Sequence, residues 1–288
     1  MRTVDDVLAL PWDKDYPRAV QIETVSYCNG HCSCCPYEIT SKLFPQSRMP
    51  DALFASILEQ LRDFQPLLVA PYMNNEPLAD VSFFSRLFAI RDVLPDAYID
   101  VATNASLLTR EKAELLLSSL VRVDEVKINF SSWKKEEYEG RTGLSYGRTL
   151  RNVLEFIDLA RATNGRGRYR IILVGSDHPE EDRQFWGERG IEVSSYAKVS
   201  RGGIIDPSPS KSTITGCKYD RQDNWLHILS TGEVVLCCMD WFRRYRLGDL
   251  CTASIEQIWR GEQYTTIRDK IRNSTDLSFI CNNCEWGT

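Results

Sequence analysis

The period of apolar and polar positions changes repeatedly along the chain. Runs rich in apolar and β-branched residues at 19–26, 67–73, 98–103, 125–130, 168–175 and 191–196 predict six strands. Between them lie amphipathic stretches, among them 51–64, 82–94 and 110–120, with apolar positions three and four apart, which predict helices. Thr109 stands where an N-cap is expected, with an acid, Glu111, in the turn that follows. Six such alternations predict an α/β fold, a parallel sheet with helical crossovers, as a barrel or an open sheet. Ligands in these folds sit at the carboxyl ends of the strands. The pattern then changes. Residues 226–229 and 233–237 read as a hairpin turning at Ser230-Thr231-Gly232, and a helical period runs over 255–271. Gly, Pro and Ser cluster over 202–212, which predicts a boundary near 205 between a domain at 1–205 and a second at 206–288.

Composition narrows the possibilities. A chain of 288 residues fits two domains at roughly 150 residues each, and 43% hydrophobic residues suffice for a core. The net charge is −5, and the basic stretches at 166–170 and 243–246 are short and flanked by acids. Nucleic acid is therefore not the expected partner. No apolar run reaches the roughly 18 residues of a membrane span. The first residues show no basic-then-apolar leader pattern, so the expected compartment is the cytoplasm. There, ten cysteines are expected as metal ligands or reactive thiols rather than disulfides.

The cysteines form two groups, Cys28, Cys32, Cys34 and Cys35, then Cys217, Cys237, Cys238, Cys251, Cys281 and Cys284. Cys28-x3-Cys32-x2-Cys35 follows the first expected strand directly. Three thiolates on one loop can hold a cubane iron–sulfur cluster with one iron left open; a zinc loop using His31 competes. In the second group, the hairpin brings Cys217 near Cys237, and the following helix returns the chain to Cys281 and Cys284. Four thiolates close a site for zinc or for a cubane. Spacing alone does not separate Cys237 from Cys238.

The Cys28/Cys32/Cys35 spacing after a first strand resembles the radical S-adenosylmethionine (radical SAM) superfamily, and further segments match it in order over most of residues 18–205. Met73-Asn74-Asn75-Glu76-Pro77 resembles the family's Gly-Gly-Glu-Pro loop, with Asn in place of Gly. Thr103-Asn104-Ala105 resembles its Thr-Asn-Gly. Asn129 falls where a Ser or Asn contacts the cofactor. The resemblance implies a partial (β/α)6 TIM-like barrel binding S-adenosyl-L-methionine through Asn74, Asn75, Glu76, Thr103, Asn104 and Asn129. Arg148, with Arg141 as its rival, is the implied partner of the cofactor carboxylate. The residue before the last loop cysteine is usually aromatic; here it is Cys34, which leaves Tyr37 to pack near the adenine.

The second region resembles the short auxiliary-cluster domain of SPASM/twitch enzymes, through Gly232-x4-Cys237, Leu247-Gly-Asp249, Ser254-Ile-x-x-Ile-Trp259 and Cys281-x2-Cys284. That implies a small α+β domain and a second [4Fe-4S] cluster held by Cys217, Cys237, Cys281 and Cys284. Arg201-Gly-Gly-Ile-Ile-Asp206 matches carbohydrate-modifying members. With only 27 residues before Cys28, no peptide-recognition domain is expected. The implied substrate is a small sugar or aminocyclitol, in antibiotic biosynthesis, and the implied electron donor is a flavodoxin or ferredoxin. In such enzymes a deoxyadenosyl radical removes a hydrogen atom from the substrate. Cys34, Cys238 and Cys251 remain unassigned. Cys251, after the Gly248-Asp249 turn, is the expected hydrogen donor of an epimerase. Alternatives are dehydrogenation of an aminocyclitol alcohol and radical modification of a peptide. Asp240 and Glu38 lie near the expected site, and His31, His178 and His227 are expected to be structural.

Overall fold

The computed structural model describes residues 3–163, 168–197, 199–205, 211–272 and 274–288. Residues 206–210, where the expected domain boundary and Asp206 fall, lie outside the described residues. The chain runs through α1 (Val4–Leu8), β1 (Ala19–Ile22), α2 (Tyr37–Leu43), α3 (Asp51–Phe64), β2 (Leu68–Ala70), α4 (Phe83–Val93) and β3 (Tyr98–Thr103). It continues with α5 (Arg110–Leu117), β4 (Glu125–Asn129), α6 (Lys135–Thr142), α7 (Tyr146–Ala162), β5 (Arg168–Val174), α8 (Pro179–Gly187) and β6 (Glu192–Tyr196). The last part holds α9 (Arg221–Asn224), β7 (Trp225–Ile228), β8 (Glu233–Val235), β9 (Arg246–Asp249), α10 (Ile255–Trp259) and α11 (Glu262–Arg272).

All nine strands join one sheet in the order β6-β5-β4-β3-β2-β1-β7-β8-β9. Strands β1 to β6 are parallel and sequential, the arrangement of a partial (β/α)6 barrel. Strand β7 pairs with β1 in parallel, Ala19 opposite Trp225 and Ile22 opposite Ile228. Antiparallel β8 and β9 complete that edge. Every residue of β1 is buried, as expected of an inner parallel strand covered on both faces. Among the described residues, no helix is long and apolar enough to cross a membrane.

Local chemistry sets the element ends. The expected strand at 19–26 stops at Ile22 because the chain then turns to the segment before α3, where Met49 N donates to Thr24 O and Ser26 N to Ser47 O. The expected strand at 67–73 shortens to β2, since Met73 N is taken by the side chain of Asn75. The helix expected over 255–271 is two helices. They break at Gly261, where a Cβ would stand 2.7 Å from the Gln257 carbonyl. Thr109 caps α5 as expected, accepting from Lys112 N, and α5 ends at Leu117 rather than at residue 120. Strand β9 has no periodic signal in its short sequence.

Arg86 of α4 holds the scaffold beneath the loops. Its buried guanidinium donates to Thr24 O at 2.9 Å, to Asp80 at 3.1 Å, to Asp51 at 2.8 Å and to Met49 O. The Asp80 side chain is itself fully buried. Removing one member of such a pair strands the other charge in the interior. Arg86→Met is expected to lower the unfolding free energy by about 3 kcal/mol, read as a lower urea midpoint at unchanged slope.

Candidate active site

The segment leaving β1 carries the first cysteine group and is fastened to α6. His31 N donates to Thr142 O and Ser33 N to Arg141 O, both at 2.8 Å. Gly143 follows with φ +67, and a Cβ there would stand 3.4 Å from His31 Cβ, so a side chain is disfavoured. Cys28 Sγ accepts from Gly30 N at 3.4 Å and from Asn104 Nδ2 at 3.9 Å. Burial pushes the Cys28 thiol up to about 12 and raises Cys32 and Cys35 as well. The Cys32 thiol is raised further by the neighbouring Cys34, Cys35 and Cys28. These cysteines are free thiols. Tyr37 is buried, and its phenol oxygen accepts from Gln46 Nε2 at 3.4 Å.

The loops after β2 and β3 are knitted together by Glu76. Its buried carboxylate accepts from Thr103 Oγ1 at 2.6 Å, Asn104 N at 2.7 Å and Leu78 N at 3.1 Å. Its backbone N–H donates to Tyr27 O in the cysteine loop. The carboxylate is therefore consumed in shaping the loop that carries Asn74 and Asn75. Asn75 Nδ2 is buried with no partner, as is Ser131 Oγ beyond Asn129. Unsatisfied buried donors at one mouth fit a polar cofactor. Burial raises the Glu76 carboxyl above its ordinary value despite its three donors.

The second group gathers where the C-terminal segment folds back on the hairpin. Cys281 lies within a 3-10 turn, Ile280–Asn283, and Cys284 caps its C-terminal end. Gly287 packs there so tightly that a Cβ would stand 2.3 Å from the Cys281 carbonyl. Burial raises both thiols; Cys284 and Cys217 push Cys281 further up, and Glu285 and Cys217 push Cys284 to about 11. Cys237 Sγ accepts from Met239 N at 3.2 Å. Cys238, hydrogen-bonded to Cys237 and beside Arg221 and Arg201, is brought down to about 6 against the effect of burial. The Cys237 thiol moves up, first through that bond and then through burial. Among the described residues, no three His, Cys, Asp or Glu side chains close on the position of a single metal ion. The fit of both groups to iron–sulfur clusters rests on the thiol-only donor sets and the N–H groups aimed at sulfur.

Three residues that sequence reasoning did not weigh as site residues join the two groups. Arg201 Nε donates to Cys34 O at 3.3 Å, and its charge acts on Cys32, Cys35 and Cys238 alike. The turn it opens has φ +54, followed by Gly202 at +67 and Gly203 at +84. A Cβ on Gly202 would stand 2.7 Å from Ile280. Glu23, buried just past the end of β1, accepts from Ser230 Oγ at 3.0 Å and from Ser230 N at 3.4 Å. Arg221 donates to Cys238 Sγ. A small cleft opens at this end of the sheet, lined by Glu23, Ser26, Tyr37, Asn74, Trp241 and Arg243 among others. Asp240 also lines it, but its carboxylate is taken up by Arg244 N and Tyr245 N.

Other expected residues are exposed or paired with neighbours. Arg148 is exposed on the first turn of α7. Arg141 is committed to Glu137 at 3.1 Å and to Gly175 O. Asn129 ends β4 at the mouth, exposed. Glu38 is exposed and pairs with Lys42 at 3.5 Å. Cys251 is exposed on the turn after β9, its thiol 3.6 Å from the Thr231 carbonyl. His227 is buried against Gln21, Nδ1 to Oε1 3.0 Å, with burial holding it neutral.

A parallel (β/α)6 sheet with a three-cysteine loop after β1 and a cysteine-rich hairpin extension defines a class of barrel enzyme built around thiolate-held clusters. The family model of the radical SAM superfamily matches residues 22–185, and that of the SPASM iron–sulfur cluster-binding domain matches 217–285. The chain belongs to the radical SAM superfamily, as an enzyme whose cofactors are S-adenosylmethionine and iron–sulfur clusters, with a SPASM/twitch region at its C-terminal end. It is 22% identical over 272 residues to the S-adenosyl-L-methionine-dependent 2-deoxy-scyllo-inosamine dehydrogenase of Niallia circulans, covering 92% of each chain. The crystal structure of BtrN in complex with AdoMet and 2-DOIA superposes with TM-score 0.67 at 19% identity, covering 93% of each chain. Streptococcus suis SuiB bound to precursor peptide SuiA gives TM-score 0.69 at 16% identity, over 93% of this chain and 71% of that one.

Glu76→Ala removes the acceptor of three hydrogen bonds that order the mouth. It is expected to weaken S-adenosylmethionine binding by roughly tenfold or more, measured by equilibrium titration of the anaerobically reconstituted protein.

Proposed function

We propose that this enzyme is a radical SAM dehydrogenase that oxidises a secondary alcohol of an aminocyclitol to a ketone. The observation that carries the reading is the likeness to an aminocyclitol dehydrogenase across 92% of both chains. In this reading Cys28, Cys32 and Cys35 hold the cluster that binds S-adenosylmethionine, and Cys217, Cys237, Cys281 and Cys284 hold the auxiliary one. When bound, these groups supply the hydrogen-atom abstractor and a one-electron acceptor. The substrate loses a hydrogen atom from its carbinol carbon, then one electron and the hydroxyl proton, and is left two hydrogens lighter. Glu76 and the Asn74-Asn75 backbone shape the cofactor's seat, and Tyr37 packs beside it. Glu23, which takes a hydrogen bond from Ser230 Oγ and feels the charge of Arg243, supplies an acceptor for a substrate hydroxyl or ammonium at the cleft.

The epimerase expected from the spare thiol is less well supported. A hydrogen donor must face the substrate inside the mouth, whereas Cys251 is exposed beside Thr231, Gly232 and Leu53. Dehydrogenation requires no such thiol. With substrate deuterated at the reacting carbon, label is expected in 5′-deoxyadenosine and a ketone in the product, and Cys251→Ala is expected to turn over as wild type does. An isomeric product carrying one solvent deuterium, lost in Cys251→Ala, would restore the epimerase.

A further inference from the structure

Arg221 occupies an uncommon position for a cation. It opens α9 partly buried, donates to Cys238 Sγ, and lies 5.0 Å from the Trp286 ring centroid and 5.5 Å from that of Tyr219. Nearby arginines find acids: Arg268 and Arg272 both reach Asp223, at 3.6 and 2.8 Å. Arg221 pairs with no carboxylate among the described residues. The opposite charges that act on it are the thiols of Cys238, Cys237 and Cys217. A guanidinium withdrawn from water needs a counter-charge, and no carboxylate of the described residues supplies one here. A thiolate-held cubane does, and it gains a further negative charge on reduction.

We propose that Arg221 is the fixed counter-cation of the auxiliary cluster and sets its reduction potential high enough to take the substrate's electron. The proposal rests on the cluster assignment made above. A positive charge against the ligand thiolates stabilises the reduced cluster more than the oxidised one, and net charge and hydrogen bonds to sulfur are the levers that set such potentials. The guanidinium is hydrogen-bonded to Cys238, whose neighbour in the chain is Cys237, so its charge acts on both thiols whichever of the two ligates. The aromatic faces of Trp286 and Tyr219 keep the guanidinium in place and limit competing water. In the dehydrogenation, the electron leaving the substrate radical reduces the cluster, the hydroxyl proton departs to solvent, and an oxidised flavodoxin- or ferredoxin-type carrier takes the electron onward. Arg221 touches no reacting atom and acts as a positioning residue for charge.

The test reads the potential directly. In a protein carrying Cys28→Ala, Cys32→Ala and Cys35→Ala, only the auxiliary cluster remains, and its reduction is followed by electron paramagnetic resonance during redox titration. Arg221→Gln is expected to disfavour reduction by tenfold or more, equal to 59 mV or more for one electron. Arg221→Lys, which keeps the charge, is expected to recover most of that shift, at equal iron content. A potential unmoved in Arg221→Gln overturns the proposal. So does loss of iron from both variants, which would make Arg221 a structural residue, and so does the absence of a reducible cluster in the parent. The two readings separate cleanly: no ketone from any aminocyclitol overturns the dehydrogenase and leaves the shift standing. An unmoved potential in an enzyme that forms ketone removes only the role of Arg221.

Discussion

The parallel pairing of β1 with β7 is the constraint on which the site depends. Strands that run in the same direction release their following segments at the same end, so residues after Ile22 and after Ile228 emerge side by side. The pairing is continued past the strands, where Glu23 N donates to Ile228 O at 2.8 Å and Ser230 Oγ donates to Glu23. It is also specific in register. The buried Gln21 and His227 side chains face each other across it, and a one-residue slip would leave both unsatisfied. Through this one pairing the C-terminal hairpin becomes an extension of the barrel sheet, and its cysteines are presented toward the first loop.

Buried acids in this enzyme mostly hold loops rather than react. Glu76 is spent on three donors from two loops, Asp240 on two backbone N–H groups, and Asp80 on Arg86 and Arg48. Burial favours the neutral form of Glu76 and Asp240, and the donors favour the ionised one. Such groups hold loop backbone in place. Cations do the complementary work between the cysteine groups. Arg201 spans from the Cys34 carbonyl toward Cys238, held in a left-handed turn that the Gly202 and Gly203 contacts make possible.

What was legible in the sequence was local. Cys28-x3-Cys32-x2-Cys35 and Cys281-x2-Cys284 are short-range spacings, and the strand–helix alternation is a short-range period. The hairpin turn at Gly232, with φ +94, also announces itself. Arg221 and Arg201 were not legible as site residues, because their significance lies in partners brought together only by the fold. Cys34 is 167 positions from Arg201. The same holds for Glu23, whose partner Ser230 is 207 positions away. Cys251 and Arg148 show the reverse: each was singled out by its place in a local segment, and the fold leaves each exposed. The helix over 255–271 failed for a local reason, since a continuous apolar period does not show that Gly261 closes against the Gln257 carbonyl.

The most direct test of a two-cluster dehydrogenase is the iron and sulfide content after anaerobic reconstitution, in wild type and in Cys281→Ala. Two thiolate-held cubanes call for about eight irons per chain, falling to about four when one auxiliary ligand is removed. About four irons in both proteins, with zinc bound alongside, would contradict the account. The electron acceptor that dehydrogenation requires would then be missing, and the C-terminal cysteines would be a structural knot.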